Sequence, residues 1–337
     1  MLETPEINIL YLNVHDVERL KLTDEEILGA IETSLATQGR GEAVIEPRMH
    51  LVPDASYPGH FNVLRGALKA PVNRAGVKVI SDFYYNYQEN LPSEVGLLML
   101  FNPRNGLPLA IVDGSHLTDM RTGAVSAIGA KYLAPKGSKV LGHVGARGTA
   151  YWNVRLMDRL FNFEEIRVHS RRPESRNAFR DRLEKDLGKR IIATEDWESC
   201  VRGADIVVEA ARLTKPEQML KTDWIKKGAL VMPYGTMSAV ELSLTDIMDK
   251  MLMDDFGQAR AGKFGALRQH VDAGKLSEKT LYAELGEVVA GLKPGRERED
   301  ETILLWHRGL SLSDIALGHA MVEKARRLGL GQSLRYM

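Results

Sequence analysis

The hydrophobic and polar positions of residues 1–113 predict one helix and a series of short strands. Alternating apolar positions predict strands over residues 7–14, 48–52, 61–68, 77–85, 95–102 and 108–113, with separators rich in Pro, Gly and Asn. Residues 23–39 have the longer period of a helix, and Thr23 with Glu26 predicts a capping box at its start. Consecutive strands with short turns favour a sheet or partial barrel over alternating strands and helices.

The pattern changes after residue 117. Small and apolar residues predict a helix over residues 122–133, and further helices are predicted over 151–160, 174–187 and 196–201. Strands alternate with them from residue 140 onward, over 166–169, 191–194, 204–210, 228–233 and 250–254, which predicts a parallel, doubly wound sheet. The remainder predicts a long helix over 277–292 with Ser277 as N-cap, a charged exposed loop over 293–301, and an amphipathic helix over 313–328 that returns to the N-terminal part.

A glycine turn follows the strand that begins at residue 140. The sequence VLGHVGARGTA over residues 140–150 runs from an apolar strand through Gly145 and Gly148 into a helix. Glycines permit a sharp turn and a close backbone approach to a pyrophosphate, and the helix N-terminus offers unpaired N–H groups. The turn therefore predicts a Rossmann-type dinucleotide-binding domain, although Arg147 stands where a second glycine is usual. Turns of this kind also occur without a nucleotide.

The residues after the next strand bear on which dinucleotide is bound. No carboxylate stands there to bind the ribose hydroxyls of NAD; the sequence instead has Ser170, Arg171 and Arg172. A serine and two arginines suit a 2′-phosphate, and the alternative is a solvated basic loop. We expect NADP(H) to be favoured over NAD(H), with a further phosphate contact from Arg147.

Composition restricts the class of partner. The chain has 45 basic and 45 acidic side chains and no net charge, so nothing indicates a nucleic acid or an anionic membrane. The apolar runs are too short to cross a bilayer, and the N-terminus lacks a signal-peptide pattern. The single cysteine, Cys200, is expected to be a buried structural thiol in a cytoplasmic protein.

Three cations stand out in the strand-rich part. Lys78 interrupts the apolar pattern Gly-Val-Lys-Val-Ile, so it either faces solvent or is held in a polar site, and the residues alone favour solvent. Arg121 is predicted to open a helix, where a cation opposes the helix dipole and suggests an anionic ligand. Together with Arg48 these cations could bind the carboxylate of an amino-acid substrate.

These residues resemble the ornithine cyclodeaminase/mu-crystallin family over nearly the whole chain. The most specific match is VDGSHLTDMRTGAVSAI over residues 112–128, which continues to Leu133-Ala134-Pro135. Supporting matches are Pro47-Arg48, Gly76-Val77-Lys78, Leu91-Pro92-Ser93, the turn at Gly145, Gly309-Leu310 and Asp314. The resemblance implies an α/β fold: residues 126–312 form a Rossmann-type doubly wound sheet domain, and residues 1–125 with the C-terminal helix in 313–337 form a β-rich domain for substrate and dimerisation.

The resemblance also implies a homodimer and assigns the site. Arg48, Lys78 and Arg121 would hold the carboxylate or the reacting nitrogen of a small amino or imino acid, with Lys78 as acid and base for that nitrogen. This reverses the expectation of a solvent-exposed Lys78. The implied cofactor contacts are Ser93, Thr118, Thr122, Gly145, Ala146, Arg147, Gly148, Thr149, Ser170, Arg171, Arg172, Ala211, Tyr234 and Gly235.

Two departures from the family bear on the reaction. Cyclodeaminases carry an aspartate after the fifth nucleotide-domain strand that works on the distal amine of the substrate, and no carboxylate occupies that place in residues 233–240. We therefore expect an NAD(P)H-dependent reductase of α-imino acids, which in reverse is an amino-acid dehydrogenase; the alternatives are a cyclodeaminase-type lyase with bound NAD and a cofactor-binding protein without activity. His307 replaces a usual serine and is expected to bind substrate.

Overall fold

The computed structural model describes residues 6–54, 56, 59–146, 148–262 and 264–337. The chain divides into two compact units. The first comprises Met1–Arg121 with Leu310–Met337, and the second comprises Thr122–Gly309. The unit boundaries lie at 121/122 and 309/310, a few residues before the predicted boundaries at 125/126 and 312/313.

The first unit contains a seven-stranded sheet and its covering helices. Its strands lie in the order β15-β1-β6-β5-β4-β3-β2, and every pair is antiparallel except β1 with β6. The elements are β1 (Asn8–Leu12), α1 (Val14–Leu20), α2 (Asp24–Gly39), β2 (Ala43–Leu51), β3 (Gly59–Leu68), β4 (Arg74–Phe83), a 3-10 helix (Tyr84–Glu89), β5 (Glu94–Phe101), β6 (Pro108–Asp113), the start of α3 (Gly114–Leu133, of which residues 122–133 belong to the second unit), α10 (Ser311–Leu328) and β15 (Gln332–Arg335).

Two sequence predictions for this unit are confirmed. Helix α2 begins with the capping box, since Glu26 N donates to Thr23 Oγ1 and Thr23 N donates to Glu26 Oε2. The C-terminal helix α10 packs against β3, β4 and α2, so the last helix contributes to the core of the N-terminal sheet.

Helix α3 starts at Gly114, well before the predicted residue 122, because the Asp113 carboxylate accepts from the backbone N–H groups of Ser115 and His116.

The second unit is a parallel α/β sheet. Eight strands lie in the order β13-β12-β14-β11-β10-β7-β8-β9, and all pairs are parallel. The elements are β7 (Val140–Val144), α4 (Ala150–Phe161), β8 (Glu165–His169), α5 (Pro173–Leu187), β9 (Ile191–Ala193), α6 (Trp197–Val201), β10 (Ile206–Glu209), a 3-10 helix (Thr222–Trp224), β11 (Leu230–Pro233), a 3-10 helix (Leu242–Ile247), β12 (Lys250–Met253), α7 (Phe256–Ala261), α8 (Arg268–Asp272), β13 (Ala283–Glu284), α9 (Leu285–Val289) and β14 (Ile303–Trp306).

The strand order reverses between β7 and β10. The chain leaves β7 for β8 and β9 and then returns to add β10 on the other side of β7. In such sheets ligands bind beyond the carboxyl ends of the strands at this reversal. The predicted doubly wound fold is confirmed, and its reversal lies where the glycine turn leaves β7.

The helix predicted over residues 277–292 is wrong. Ser277 begins a turn in which its backbone N–H donates to Thr280 Oγ1 (2.9 Å), and Leu281 N donates to the Ser277 carbonyl (2.9 Å). Residues Ala283–Glu284 then pair with β12, and only Leu285–Val289 are helical. Local hydroxyl bonds and pairing at the sheet edge thus replace the helix that the pattern favours. Strands β14 and β15 were not predicted.

The described helices include none that is both long enough and apolar enough to cross a membrane.

Candidate active site

Lys78 lies on the buried face of the first sheet. In β4 the residues Gly76, Lys78 and Ile80 share the inward face, and the Lys78 residue is 1% exposed. Its cross-strand neighbours are Leu64 on β3 and Leu98 on β5, both buried and apolar. A lysine in such a row is far from bulk water and needs polar partners.

The partners of Lys78 come from two helices. Lys78 Nζ donates to Asp314 Oδ1 of α10 at 2.6 Å and to Thr118 Oγ1 of α3 at 3.1 Å. The Thr118 hydroxyl in turn donates to the Gly114 carbonyl at 2.5 Å, so it accepts from the lysine. Arg121, one helical turn after Thr118, donates from Nε to the same Asp314 oxygen at 2.9 Å. Two cations therefore share one buried carboxylate.

Two glycines bring α10 close enough for this contact. Gly66 on β3 pairs with Gly76 on β4, under the N-terminal turns of α10. A β-carbon at Gly76 would lie 2.7 Å from Ile315 Cγ1, and one at Gly66 would lie 2.7 Å from Ser311 Oγ. Larger residues at either position would push the helix away from the sheet, and with it the carboxylate that Lys78 contacts.

The charges around Lys78 place its titration near neutrality. Burial and the positive charges of Arg121 and Arg48 lower the pKa of Lys78 to about 7, against the opposing effect of Asp314. Arg48 lies in a β-bulge of β2, between the pairs Glu46–Arg65 and Met49–Val63. A bulge changes the direction of a strand locally. This bulge lies opposite Leu64 of β3, the residue that pairs with Lys78 of β4.

The structure thus brings Arg48, Lys78 and Arg121 into one electrostatic cluster. The reason given for Arg121 is wrong, however: it is the eighth residue of α3 rather than the first, so the dipole of the helix end does not act on it. Its anionic partner is Asp314, whose Oδ2 has no hydrogen-bond partner among the described residues. In sequence Asp314 is only a family match, and its place in the site follows from the folded structure.

Three further residues have predicted cofactor contacts outside the sequence of the glycine turn. Thr118 contacts Lys78 in the first unit. Ser93 precedes β5, where its carbonyl accepts from Phe83 N at 2.9 Å. Thr122 is the first residue of the second unit, is buried, and accepts at its carbonyl from Ser126 Oγ. Their cofactor contacts stay predictions.

Both glycines of the turn after β7 have positive φ angles. Gly145 has φ of 111° and Gly148 has φ of 49°, both in the region that favours glycine. A β-carbon at Gly145 would lie 2.6 Å from the Ala210 carbonyl oxygen, and Gly145 N donates to His169 O at 2.8 Å. The turn therefore lies between the ends of β8 and β10. Ala146 is half-buried within it, and Arg147 lies outside the described residues.

A hydrogen-bonded network supports this turn from below. Thr149 Oγ1 and Tyr234 Oη are 2.6 Å apart, and Asn153 Nδ2 donates to Tyr234 Oη. Asn153 Nδ2 is also 3.2 Å from His143 Nε2, while His143 Nδ1 is 3.0 Å from the Gly145 carbonyl. Burial lowers the pKa of His143 to about 4, so the ring is neutral and can donate to that carbonyl and accept from Asn153.

His307 is buried in the second unit. Its Nε2 lies 2.8 Å from Ser126 Oγ, and its ring lies against the Tyr234 ring with centroids 4.5 Å apart. His307 therefore packs against Tyr234, whose hydroxyl hydrogen-bonds with Thr149. Its expected contact with substrate stays a prediction.

The residues after β8 form an exposed cationic edge. Ser170 is half-buried, and Arg171 and Arg172 are exposed. Within the part of the chain that the structure describes, neither guanidinium has a hydrogen-bond or ion-pair partner. These residues fit a dinucleotide for two reasons. A β-carbon at Gly145 would fill the space that the turn leaves, and the exposed Arg171 and Arg172 follow β8, the strand next to β7.

Glu209, at the end of β10, is a buried acid that the sequence analysis missed. Its Oε1 accepts from Ala211 N at 2.7 Å and its Oε2 accepts from Gly235 N at 3.3 Å. Burial raises the pKa of Glu209 to about 7. The signal that could have found it is a charged residue inside the apolar pattern of residues 204–210.

The loop after β11 holds no free carboxylate. Glu241, the first acid in it, accepts from Thr222 N at 2.9 Å and pairs with Lys221 at 3.0 Å. It therefore has a structural role.

The chain belongs to the ornithine cyclodeaminase/mu-crystallin family. The family profile matches residues 8–328. The chain is 30% identical to rat (Rattus norvegicus) ketimine reductase mu-crystallin over 90% of this chain and 94% of that protein. It is similar in structure to Thermococcus litoralis Δ1-pyrroline-2-carboxylate reductase in complex with NADH and L-proline (TM-score 0.89, 27% identity, 97% and 100% coverage). It also resembles an archaeal alanine dehydrogenase dimer with bound NAD (TM-score 0.88, 27% identity, 98% and 100% coverage).

Proposed function

We propose that this family member reduces the carbon–nitrogen double bond of α-imino acids with a nicotinamide dinucleotide. Its class is that of an NAD(P)-dependent oxidoreductase acting on C=N or CH–NH bonds. The observation that carries the proposal is the buried pair Lys78 and Arg121 on Asp314, with the half-buried Arg48 adding its charge; burial and these charges lower the pKa of Lys78 to about 7. A group with that pKa can both give and take a proton at neutral pH.

The roles follow from the chemistry of each side chain. Arg48 and Arg121 bind the substrate carboxylate through charge-assisted hydrogen bonds. Lys78 donates the proton to the nitrogen in reduction and accepts it in oxidation. The bound cofactor supplies the hydride that reaches the α-carbon. Asp314 holds Lys78 and Arg121 in place through its Oδ1.

Substrate binding also favours the protonated lysine. The positive charges of Arg121 and Arg48 both lower the pKa of Lys78. A carboxylate bound by these arginines offsets that repulsion, so the pKa of Lys78 rises when the substrate binds. Substrate binding therefore increases the fraction of Lys78 that carries the proton needed for reduction.

NADP(H) is the preferred cofactor in this proposal. Support comes from Arg171 and Arg172, which are exposed, have no described partner, and follow the strand beside the glycine turn. The solved relatives named above bind NADH or NAD, so the preference is specific to this chain's own residues. A 2′-phosphate between two arginines gains charge-assisted hydrogen bonds that NADH lacks.

A homodimer formed through the first sheet is part of the proposal. One outward row of that sheet is apolar and runs through Leu97, Val79, Val63 and Met49 on neighbouring strands. Leu97 is 48% exposed and Met49 is 54% exposed. Such a face is typical of a contact between proteins. The similar alanine dehydrogenase is a dimer. Sedimentation of this chain would measure whether it is also a dimer in solution.

The experiment is a spectrophotometric panel with the purified protein. NADPH and NADH are each mixed with cyclic imino acids, with pyruvate or glyoxylate plus amines, and with oxaloacetate plus ammonia. We expect oxidation of the reduced cofactor with at least one of these substrates and a lower KM for NADPH. If no substrate of the panel causes oxidation of the cofactor, and ornithine is deaminated in the presence of NAD with no net change in cofactor absorbance, the protein is instead a cyclodeaminase-type lyase.

A further inference from the structure

Glu209 is a buried carboxylate that makes no ion pair with any residue the structure describes. Across the sheet it pairs with Val144 of β7 and Pro233 of β11, neither of which ionises. Its pKa reflects burial, opposed only by the N–H groups of Ala211 and Gly235. Burying an ionised carboxylate costs free energy unless hydrogen-bond donors or an opposite charge stabilise it.

Those two N–H groups belong to two different loops. Ala211 follows β10 and Gly235 follows β11, and both strands end at the carboxyl edge of the parallel sheet. The Glu209 carboxylate lies directly against Gly235, since a β-carbon there would be 2.5 Å from Glu209 Oε1. Thr236 N also donates to the Ala211 carbonyl at 3.2 Å. Gly235 N also donates to the Glu209 backbone carbonyl at 3.2 Å. The loops are therefore joined by backbone bonds, and the Glu209 carboxylate adds an acceptor for one N–H group of each loop at the edge where the cofactor is proposed to bind.

We propose that Glu209 is a positioning residue for the dinucleotide, and that protonation of its carboxylate weakens cofactor binding. The ionised form has acceptors for both N–H donors, whereas the protonated form places an O–H against one of them. Losing that bond removes the carboxylate acceptor from Ala211 N or Gly235 N and shifts the loop residue that it positions, while the backbone bonds between the loops remain. The proposal rests on the proposed function only in that Ala211, Tyr234 and Gly235 contact the cofactor.

The Glu209→Gln variant separates the carboxylate from the other titratable groups near it, which are His143, His307, Tyr234 and Arg212. His143 of β7 has a pKa lowered to about 4, so it stays neutral from about pH 6 to about pH 8. His307 packs against Tyr234 of the second loop, with ring centroids 4.5 Å apart. A pH dependence caused by any of these groups would persist when Glu209 is replaced. The 2′-phosphate of NADPH itself titrates near pH 6, so NADH is the cleaner probe.

The test is the dissociation constant of NADH, measured by fluorescence titration of the full-length protein between about pH 6 and about pH 8. With full coupling the wild-type constant rises about tenfold from the upper to the lower end of this range. In Glu209→Gln the constant is independent of pH and exceeds the wild-type value at the upper end, because an amide N–H₂ faces an N–H donor. The effect is confined to cofactor affinity, so kcat at saturating cofactor stays within about twofold.

Glu241→Gln is the matched control. Glu241 also accepts a backbone N–H, but the pKa of its carboxyl is lowered, so it stays ionised in this range. This variant should keep the wild-type pH dependence. A pH-independent NADH constant in the wild type overturns the proposal even if Glu209→Gln fails to fold. A protein that binds neither NADH nor NADPH would instead contradict the proposed function.

Discussion

Replacing Asp314 with asparagine tests how the buried cluster controls the proton on Lys78. The asparagine keeps the size of the side chain and a carbonyl oxygen, but it removes the negative charge that both Lys78 and Arg121 contact. Because Asp314 raises the pKa of Lys78, its loss must lower that pKa further. The direction follows from geometry, since the two groups are 2.6 Å apart and both side chains are fully buried.

The magnitude follows from the energy of a buried ion pair. Unit charges about 4 Å apart interact by about 4 kcal/mol at an effective dielectric constant of about 20, and removing one partner of a buried pair costs about 3 to 5 kcal/mol. One pH unit corresponds to about 1.4 kcal/mol, so the pKa of Lys78 should fall by about two to three pH units. At pH 7 the protonated fraction would then drop from about one half to about one per cent or less.

The assay compares both directions of the reaction across pH. In reduction Lys78 must be protonated, so kcat/KM of Asp314→Asn should fall at least about 50-fold at pH 7 and recover as the pH is lowered. In oxidation the neutral amine is the active form, so the rate near pH 7 should be little reduced. Substrate ionisation affects both enzymes alike, so the difference between their profiles isolates Lys78.

Ser313→Ala is the control on the same helix. Ser313 is buried, and its hydroxyl has no hydrogen-bond partner among the described residues. This variant should keep the wild-type pH profiles in both directions. Equal losses in both directions at every pH for Asp314→Asn, with no displacement of the profiles, would show that the carboxylate only supports the fold and would refute the reasoning.

Three further predictions concern other parts of the molecule. Changing Arg171 and Arg172 together to glutamine should raise the KM for NADPH about 10- to 100-fold and leave that for NADH unchanged, since a hydrogen bond to a charged group contributes about 1.5 to 3 kcal/mol; equal effects on both cofactors in steady-state kinetics would contradict this. Gly76→Val should lower the free energy of unfolding in urea by about 1 to 3 kcal/mol because its β-carbon would lie 2.7 Å from Ile315; unchanged stability would show that α10 moves freely. Burial raises the pKa of Cys200 to about 12, so a thiol reagent at about pH 8 should react with it only after denaturation; rapid labelling of the native protein would exclude a buried thiol.

Part of this molecule could be read directly from local patterns. The capping box at Thr23 and Glu26, the alternation of β4 and the glycine turn at Gly145 each depend on neighbouring residues, so the sequence determines them. The buried thiol of Cys200 also agrees with its apolar surroundings. Local patterns failed for residues 277–292, where pairing with β12 competes with a helix.

The candidate site depended on contacts that no local pattern contains. Period two places Gly76, Lys78 and Ile80 on one face of β4, but it does not say which face is buried. The covering helix α10 decides this, and its Asp314 lies 236 positions from Lys78. Likewise, the pKa values of Lys78 and Glu209 arise from burial and from groups brought together by folding. Residue type and spacing therefore determined which cations are available, whereas tertiary packing alone removed them from water and placed one carboxylate between two of them.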